Sequence, residues 1–232
     1  MKNKSAIYTV LLAGLLFPLI YNCTKEDTTN SDQTPGTVTD IDGNVYHTVT
    51  IGAQIWMVEN LKTTKYRDGS VIPAVSDSAT WRNLSTGAYS NNSVDVSNSA
   101  TYGRLYNWYA VNDNRKLAPV GWHVASDTEW TTLTTYTGGT SSGGKLKETG
   151  ITHWLTPNTG ATNETGFTAL AGGQRSDTGA NLNSIGKYGY WWTSTESGTD
   201  IAWPRGLSYN DTGVGRFSYH KPYGMSVRCI KD

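Results

Sequence analysis

Cysteine is almost absent from this chain. The 232 residues hold two, Cys23 and Cys229. If Cys23 is modified, Cys229 has no partner, which excludes an internal disulfide and leaves one thiol, too few for a cysteine-built metal site. Charge is also sparse, 16% of residues against about 25% in average chains. The surface must therefore be made polar by Ser, Thr, Asn and Gly. Lysine plus arginine balance aspartate plus glutamate at 19 each, with no basic block. Phosphate binding needs clustered Lys and Arg, so no nucleic-acid partner is expected. Four histidines, His47, His123, His153 and His220, lie far apart without His-x-x-x-His spacing. They read as structural or surface histidines, and no metal site is expected. No apolar run reaches the roughly 20 residues a spanning helix needs.

One shorter apolar run does exist, over residues 7–20, behind Lys2 and Lys4 and ahead of Cys23. It has the length of a signal-peptide core and is set aside from the fold. Charge, apolar stretch and cysteine in that order resemble a bacterial lipoprotein signal, residues 1–22, with lipidation at Cys23. An ordinary secretory signal or an uncleaved anchor are the alternatives. Lys25, Glu26 and Asp27 resemble the surface-export signal of lipoproteins in Bacteroidetes-type bacteria, or else belong to a solvated linker. The expected address is the outer membrane, facing outward. The only membrane contact expected is the lipid anchor, which is stable when more than one chain is attached. Removing residues 1–22 leaves 17 basic against 19 acidic side chains.

Residues 23–37 lack apolar side chains that could be buried and read as a disordered tether. Residues 38–232 form one domain, with no second linker and no fixed-period repeat. Turn signals at Asp42-Gly43, at 51–54 and at Asp68-Gly69 bound early strands over 45–51 and 55–58. Leu105, Trp108 and Tyr109 at i, i+3, i+4 predict a helix over 102–111. Ser126 and Glu129 form a capping box for a second helix, with Trp130 and Leu133 on its buried face and Gly138-Gly139 as its stop. A short helical turn is expected near 144–148. From Asn158 onward, short apolar pieces separated by loops read as strands. The expectation is an α+β domain, mostly antiparallel sheet, with two main helices and a long loop-rich second half.

Several segments together resemble a known family. They are Gly43-Asn-Val-Tyr-His-Thr-Val-Thr-Ile-Gly-Ala-Gln-Ile-Trp-Met-Val-Glu-Asn-Leu61, Tyr102-Gly-Arg-Leu-Tyr-Asn-Trp108 and Pro119-Val-Gly-Trp-His-Val124, followed by Gly166-Phe-Thr-Ala-Leu170, Tyr190-Trp-Trp-Thr-Ser-Thr195 and Gly224-Met-Ser-Val-Arg-Cys229. In this order they resemble the Fibrobacter succinogenes major paralogous domain of bacterial surface lipoproteins, a family that brings no settled activity. More distantly, Gly121-Trp-His-Val-Ala-Ser-Asp-Thr-Glu-Trp130, Trp192-Thr-Ser194 and Val227-Arg-Cys229 resemble C-type-lectin-like domains, including the sulfatase-modifying, formylglycine-generating group. That resemblance implies fold only. The paired cysteines and the Glu-Pro-Asn and Trp-Asn-Asp calcium motifs are missing, with Thr156-Pro-Asn158 a partial echo, and the cysteine pair of formylglycine chemistry is absent.

Candidate chemistry is thin. Gly139-Thr-Ser-Ser-Gly143 has the Gly-x-Ser-x-Gly spacing but follows a helix, whereas a nucleophile elbow follows a strand. The run Asp40-Ile-Asp-Gly-Asn44 offers oxygens of the kind calcium takes, yet lacks the later glutamate of a calcium loop. Asn163 and Glu164 sit in a Gly/Thr-rich loop and could meet calcium or sugar hydroxyls; a turn closed by the Asn side chain is the simpler reading. No cofactor is expected; calcium stays open as an alternative without being predicted. Trp192, Trp203, Arg205 and Tyr209 are the ligand candidates, because flat aromatic faces stack on sugar rings and Arg donates to hydroxyls and carboxylates. Alternation puts Trp191 and Trp192 on opposite faces of a strand, so at most one should face the core. The expected function is non-catalytic binding of glycan or a surface protein, in an adhesive role. The rivals are a polysaccharide-acting enzyme, which needs two carboxylates about 5–10 Å apart, and a self-assembling structural subunit.

Overall fold

The computed structural model describes residues 36–91, 97–182 and 184–232. Strand β1 (Thr37–Thr39) pairs antiparallel with β2 (Val45–Ile51), and Gly43 takes the positive φ that the turn between them requires. Thr37, assigned to the tether above, is therefore a strand residue opposite His47. Asp40 ties this turn from inside: its carboxylate accepts the backbone N–H groups of Asp42 and Asn44 at 2.9 Å and the Tyr46 hydroxyl at 2.6 Å. A tight turn leads from β2 into β3 (Gln54–Met57).

The helix expected over 102–111 is not continuous. Chain order here runs α1 (Ser78–Arg82), β4 (Tyr89–Ser90), α2 (Asn98–Tyr102), β5 (Leu105–Tyr106) and α3 (Trp108–Val111). Gly103 breaks it at φ 76°, where a Cβ would lie 2.7 Å from Asn60 Cβ and 2.8 Å from the Leu61 carbonyl oxygen. Asn107 then starts α3 as its cap, accepting from the Ala110 N–H. The helical spacing of the apolar residues yields here to glycine contact and cap chemistry.

After β6 (Trp122–Val124) comes the longest helix, α4 (Asp127–Thr137), with the capping box in place. Ser126 Oγ accepts from the Glu129 N–H, and the Glu129 carboxylate accepts from the Ser126 N–H at 2.7 Å. Trp130 and Leu133 are buried, and left-handed Gly138 ends the helix. The short α5 (Gly143–Leu146) follows. The second half holds β7 (Gln174–Arg175), β8 (Asn181–Leu182), β9 (Tyr188–Glu196), β10 (Ile201–Ser208), β11 (Gly215–Arg216), β12 (Tyr219–His220) and β13 (Cys229–Lys231).

The architecture is mixed and sheet-rich, an α+β arrangement. One sheet runs β1-β2-β3-β13-β6; a second has β10 between β9 on one side and β11 and β12 on the other. All pairings between these named strands are antiparallel.

Successive strand residues enter two different cores. Met57, Trp192 and Cys229 belong to one, with Tyr46, Tyr106 and Trp108. Trp56, Trp191 and Ile230 belong to the other, with Trp130, Leu133 and Phe167. Strands covered on both faces lose apolar/polar alternation, which is why Ile-Trp-Met and Tyr-Trp-Trp run together. The expectation that only one of Trp191 and Trp192 faces a core is thus corrected: both are fully buried. Each buried indole removes about 150–250 Å² from water, up to about 4–6 kcal/mol at ~25 cal/mol/Å².

Three buried cations, Arg228, Arg175 and Lys147, and the half-buried Arg67 hold backbone carbonyls together. Arg228 donates to the Met57, Phe167 and Thr168 carbonyls, Arg175 to those of Val75, Ser76 and Gly179, and Arg67 to those of Ala118, Pro119 and Trp122. Lys147 Nζ meets the carbonyls of Thr159 at 2.8 Å and of Ser208 and Asp211 at 2.9 Å. Carbonyls in loops and at strand ends are satisfied this way.

Candidate functional site

The residues expected to form a ligand surface are scattered. Trp192 is 0% exposed, its indole N–H donating to the Tyr106 carbonyl at 3.1 Å. It has no open face on which a sugar could stack. Arg205 is 4% exposed and locked to α4, with Nη2 2.7 Å from Asp127 Oδ1 and 2.7 Å from Thr131 Oγ1. Trp203 is half-buried, and the Arg216 guanidinium covers one ring face at 3.5 Å from the centroid. Tyr209 packs partly buried against the Trp130 core. Asn163 sits at φ 48° and closes its own turn, accepting the Thr168 N–H at 2.9 Å and donating to Thr168 Oγ1 at 3.0 Å. Glu164 pairs with Lys145 at 2.8 Å. Cys23, Lys25, Glu26 and Asp27 lie outside the described residues.

Other candidates are likewise engaged internally. Asn158 donates its amide to the Glu148 and Gly150 carbonyls. Ser142 bonds Thr137 and the Gly139 carbonyl, and Ser141 stays in an exposed loop. All four histidines face carboxylates: His47 faces Glu59, His123 faces Glu129 and Asp232, His153 faces Glu148, and His220 faces Asp177 at 3.9 Å. Among the described residues no three His, Cys, Asp or Glu side chains converge as a metal site would require. Cys229 is buried, which pushes its thiol pKa far up and keeps it protonated.

What the strands do build is an open cleft of about 520 Å³ at the end of the β9–β10–β11 sheet. Its aromatic side is Tyr188, Tyr190 and Phe217. Tyr188 and Tyr190 are two apart on β9, so they share a face, with ring centroids 5.9 Å apart. Phe217 meets Tyr190 edge to face at 5.8 Å. Gly206 and Gly215 lie opposite each other in the sheet and clear the space for these rings. A Cβ at Gly206 would fall 2.8 Å from Phe217 and 2.9 Å from Tyr190. Tyr188 and Phe217 remain 36% and 38% exposed, whereas Tyr190 is buried to 9%. Burial, reinforced by Tyr219, raises the Tyr190 pKa, so its phenol stays neutral.

The polar side comes from Thr140, Ser141, Ser208, Asn210 and Asp211. Ser208 Oγ donates to Asn210 Oδ1 at 2.6 Å, and Asp211 accepts from the Gly213 N–H. This 208–214 loop is pinned to the α4–α5 connection, with Gly143 N–H on the Thr212 carbonyl and Val214 N–H on the Thr140 carbonyl, each at 2.7 Å. Lys147 secures it from behind. Burial lowers the Lys147 pKa to about 8 while Asp211 pulls it back up, so the ammonium persists at neutral pH.

The family model of the Fibrobacter succinogenes major domain matches residues 49–231. The chain belongs to that family. No curated protein and no solved structure matches it. In this Fibrobacter succinogenes major domain the match opens inside β2 and closes at the end of β13, so the cleft, Lys147 and Arg228 all fall within it.

The tryptophans are mostly core. The usable signal was the pairing of aromatics with glycines on neighbouring strands, Tyr188-Gly-Tyr190 beside Gly206 and Gly215-Arg-Phe217.

Proposed function

We propose that this chain is an outward-facing outer-membrane lipoprotein, anchored by lipid at Cys23, whose domain binds glycan in the Tyr188–Tyr190–Phe217 cleft without altering it. The observation that carries this reading is the cleft's composition: exposed ring faces on one side, hydroxyl, amide and carboxylate groups on the other. Sugars present the complementary pair of surfaces, C–H faces that stack on rings and hydroxyls that exchange hydrogen bonds. A C-type-lectin-like arrangement is part of the proposal, supported by the loop-rich second half and by β13 set between β3 and β6.

A non-catalytic role is favoured over polysaccharide cleavage by where the carboxylates are. Asp211 is the single one among the described residues of the lining, and glycoside hydrolysis commonly uses two. Asp127, Glu129, Glu164 and Glu196 are each paired with a basic side chain. No cofactor or metal enters this reading. The test is a glycan array probed with the full chain, alongside an assay for released reducing ends. Retention on glycans without release supports binding; release at a steady rate, or retention on none of the glycans, overturns it.

A further inference from the structure

We infer that the cleft selects uncharged glycans and rejects acidic ones, an inference that rests on the binding role proposed above. Its described lining contains no lysine, arginine or histidine. Three nearby cations are directed elsewhere. Arg216 lies over Trp203 with Nε 3.0 Å from Asp127, and Lys145 pairs with Glu164. Lys147 approaches from behind the wall and is enclosed by the Thr159, Ser208 and Asp211 carbonyls. Uronate and sulfate groups are ordinarily gripped by bidentate arginine or by lysine, and the described lining holds neither.

The one carboxyl side chain in the described lining is that of Asp211. One carboxylate oxygen is held by the Gly213 N–H, and the residue is exposed. It accepts from a sugar hydroxyl and repels a second carboxylate. The Tyr190 phenol, kept neutral by its surroundings, adds no charge. Ring stacking is indifferent to substituent charge, so aromatic faces supply grip while Asp211 and the missing cations supply selection. The volume lies within the roughly 300–1,000 Å³ range of small-ligand sites, room for a few sugar units.

The test is affinity electrophoresis of the full chain through gels carrying mannan, xyloglucan or mixed-linkage glucan, and through gels carrying polygalacturonate or alginate. Salt is held at about 0.15 M so that exposed charges beyond ~8 Å are screened. Retardation is expected by at least one neutral polymer and by neither acidic one, and Phe217→Ala and Tyr188→Ala should each weaken it about tenfold, as loss of one central contact does. The Asp211→Lys chain should gain retardation by an acidic polymer. If an acidic polymer retards the wild-type chain, and Phe217→Ala abolishes that, the cleft binds glycan but the selection inferred here is wrong. An Asp211→Lys chain that behaves on acidic gels as wild type does also overturns the selection. No retardation in any gel, or retardation that both aromatic variants leave intact, overturns the selection and the binding role together. Near-ultraviolet dichroism shows whether each variant is folded.

Discussion

Arg228 Nε donates to Asn60 Oδ1 at 2.8 Å, joining residues 168 positions apart. Trp191 Nε1 donates to the same oxygen at 2.8 Å, while the Asn60 amide reaches the Tyr102 carbonyl and Ser226 Oγ. The guanidinium is fully buried, with the Met57, Phe167 and Thr168 carbonyls as further partners, and lies 4.4 Å over the Phe167 ring. Burial lowers its pKa, yet an arginine stays charged at neutral pH. This knot binds the β3 end, the 166–168 loop and the last strand into one unit.

Replacing Arg228 should therefore unfold more than it repairs. Arg228→Met strands the Met57, Phe167 and Thr168 carbonyls, at about 1–3 kcal/mol for each buried group left unpaired. The melting temperature should fall by roughly 10 °C, and Arg228→Lys, with one nitrogen in place of three, should recover only part of it. Thermal melts followed by tryptophan fluorescence check this; an unchanged midpoint for Arg228→Met would remove the knot from the account.

The pH response of stability should be traceable to His123. Burial alone would lower its pKa, but hydrogen bonds to Asp232 at 2.7 Å and Glu129 at 2.8 Å raise it above the unfolded value. Glu129 is opposite: burial raises its pKa, and the Ser126 and His123 contacts outweigh that and lower it. A raised histidine contributes fully below its unfolded pKa of about 6.5 and loses that contribution as pH climbs through the folded value. A lowered glutamate contributes above about 4.3 and loses it on acidification. The cluster should therefore stabilise most between roughly pH 5 and 6.5. Comparing wild type with His123→Gln by denaturant titration across pH should give the largest difference in that window, shrinking above it; a difference that grows with pH contradicts the assignment.

Thiol chemistry should separate the two cysteines. Cys229 is buried with its pKa raised, so iodoacetamide should not label it in the folded chain. If Cys23 carries lipid, protein extracted from membranes shows no reactive thiol until it is denatured, when Cys229 alone appears. Mass spectrometry of the labelled peptides reads both, and a labelled Cys23 in the membrane-extracted chain would count against lipidation.

Much of the fold was legible because local chemistry decided it. The β2–β3 hairpin follows from its turn residues, and α4 from Ser126, Glu129 and Gly138. The failure over 102–111 has a long-range cause, which residue spacing hides. Gly103 is needed where the chain presses against Asn60 and Leu61, far back in the sequence. The site was less legible still. Trp192 and Arg205 look like ligand groups until the second layer over β9 and β10 is known, and Arg205 is matched by Asp127 across 78 residues. The cleft depends on the strand register that sets Gly206 against both Tyr190 and Gly215.

Gly206 should be as sensitive as the aromatics it faces. In Gly206→Ala the new methyl meets Phe217 and Tyr190, and Tyr190 has little room to yield. Overpacking of this kind destabilises by about 1–3 kcal/mol. Glycan retention should drop along with a modest fall in melting temperature, measured side by side. Full retention in Gly206→Ala would mean the rings are not the binding surface.

Hydroxyl-radical footprinting of the full chain, with and without the neutral glycan that retains it best, tests the location of binding most directly. Protection should concentrate on Tyr188 and Phe217, with Trp203 and Tyr209 unchanged. Protection at Trp203 and Tyr209, with Tyr188 and Phe217 as reactive as in the free chain, would contradict the cleft as the glycan site.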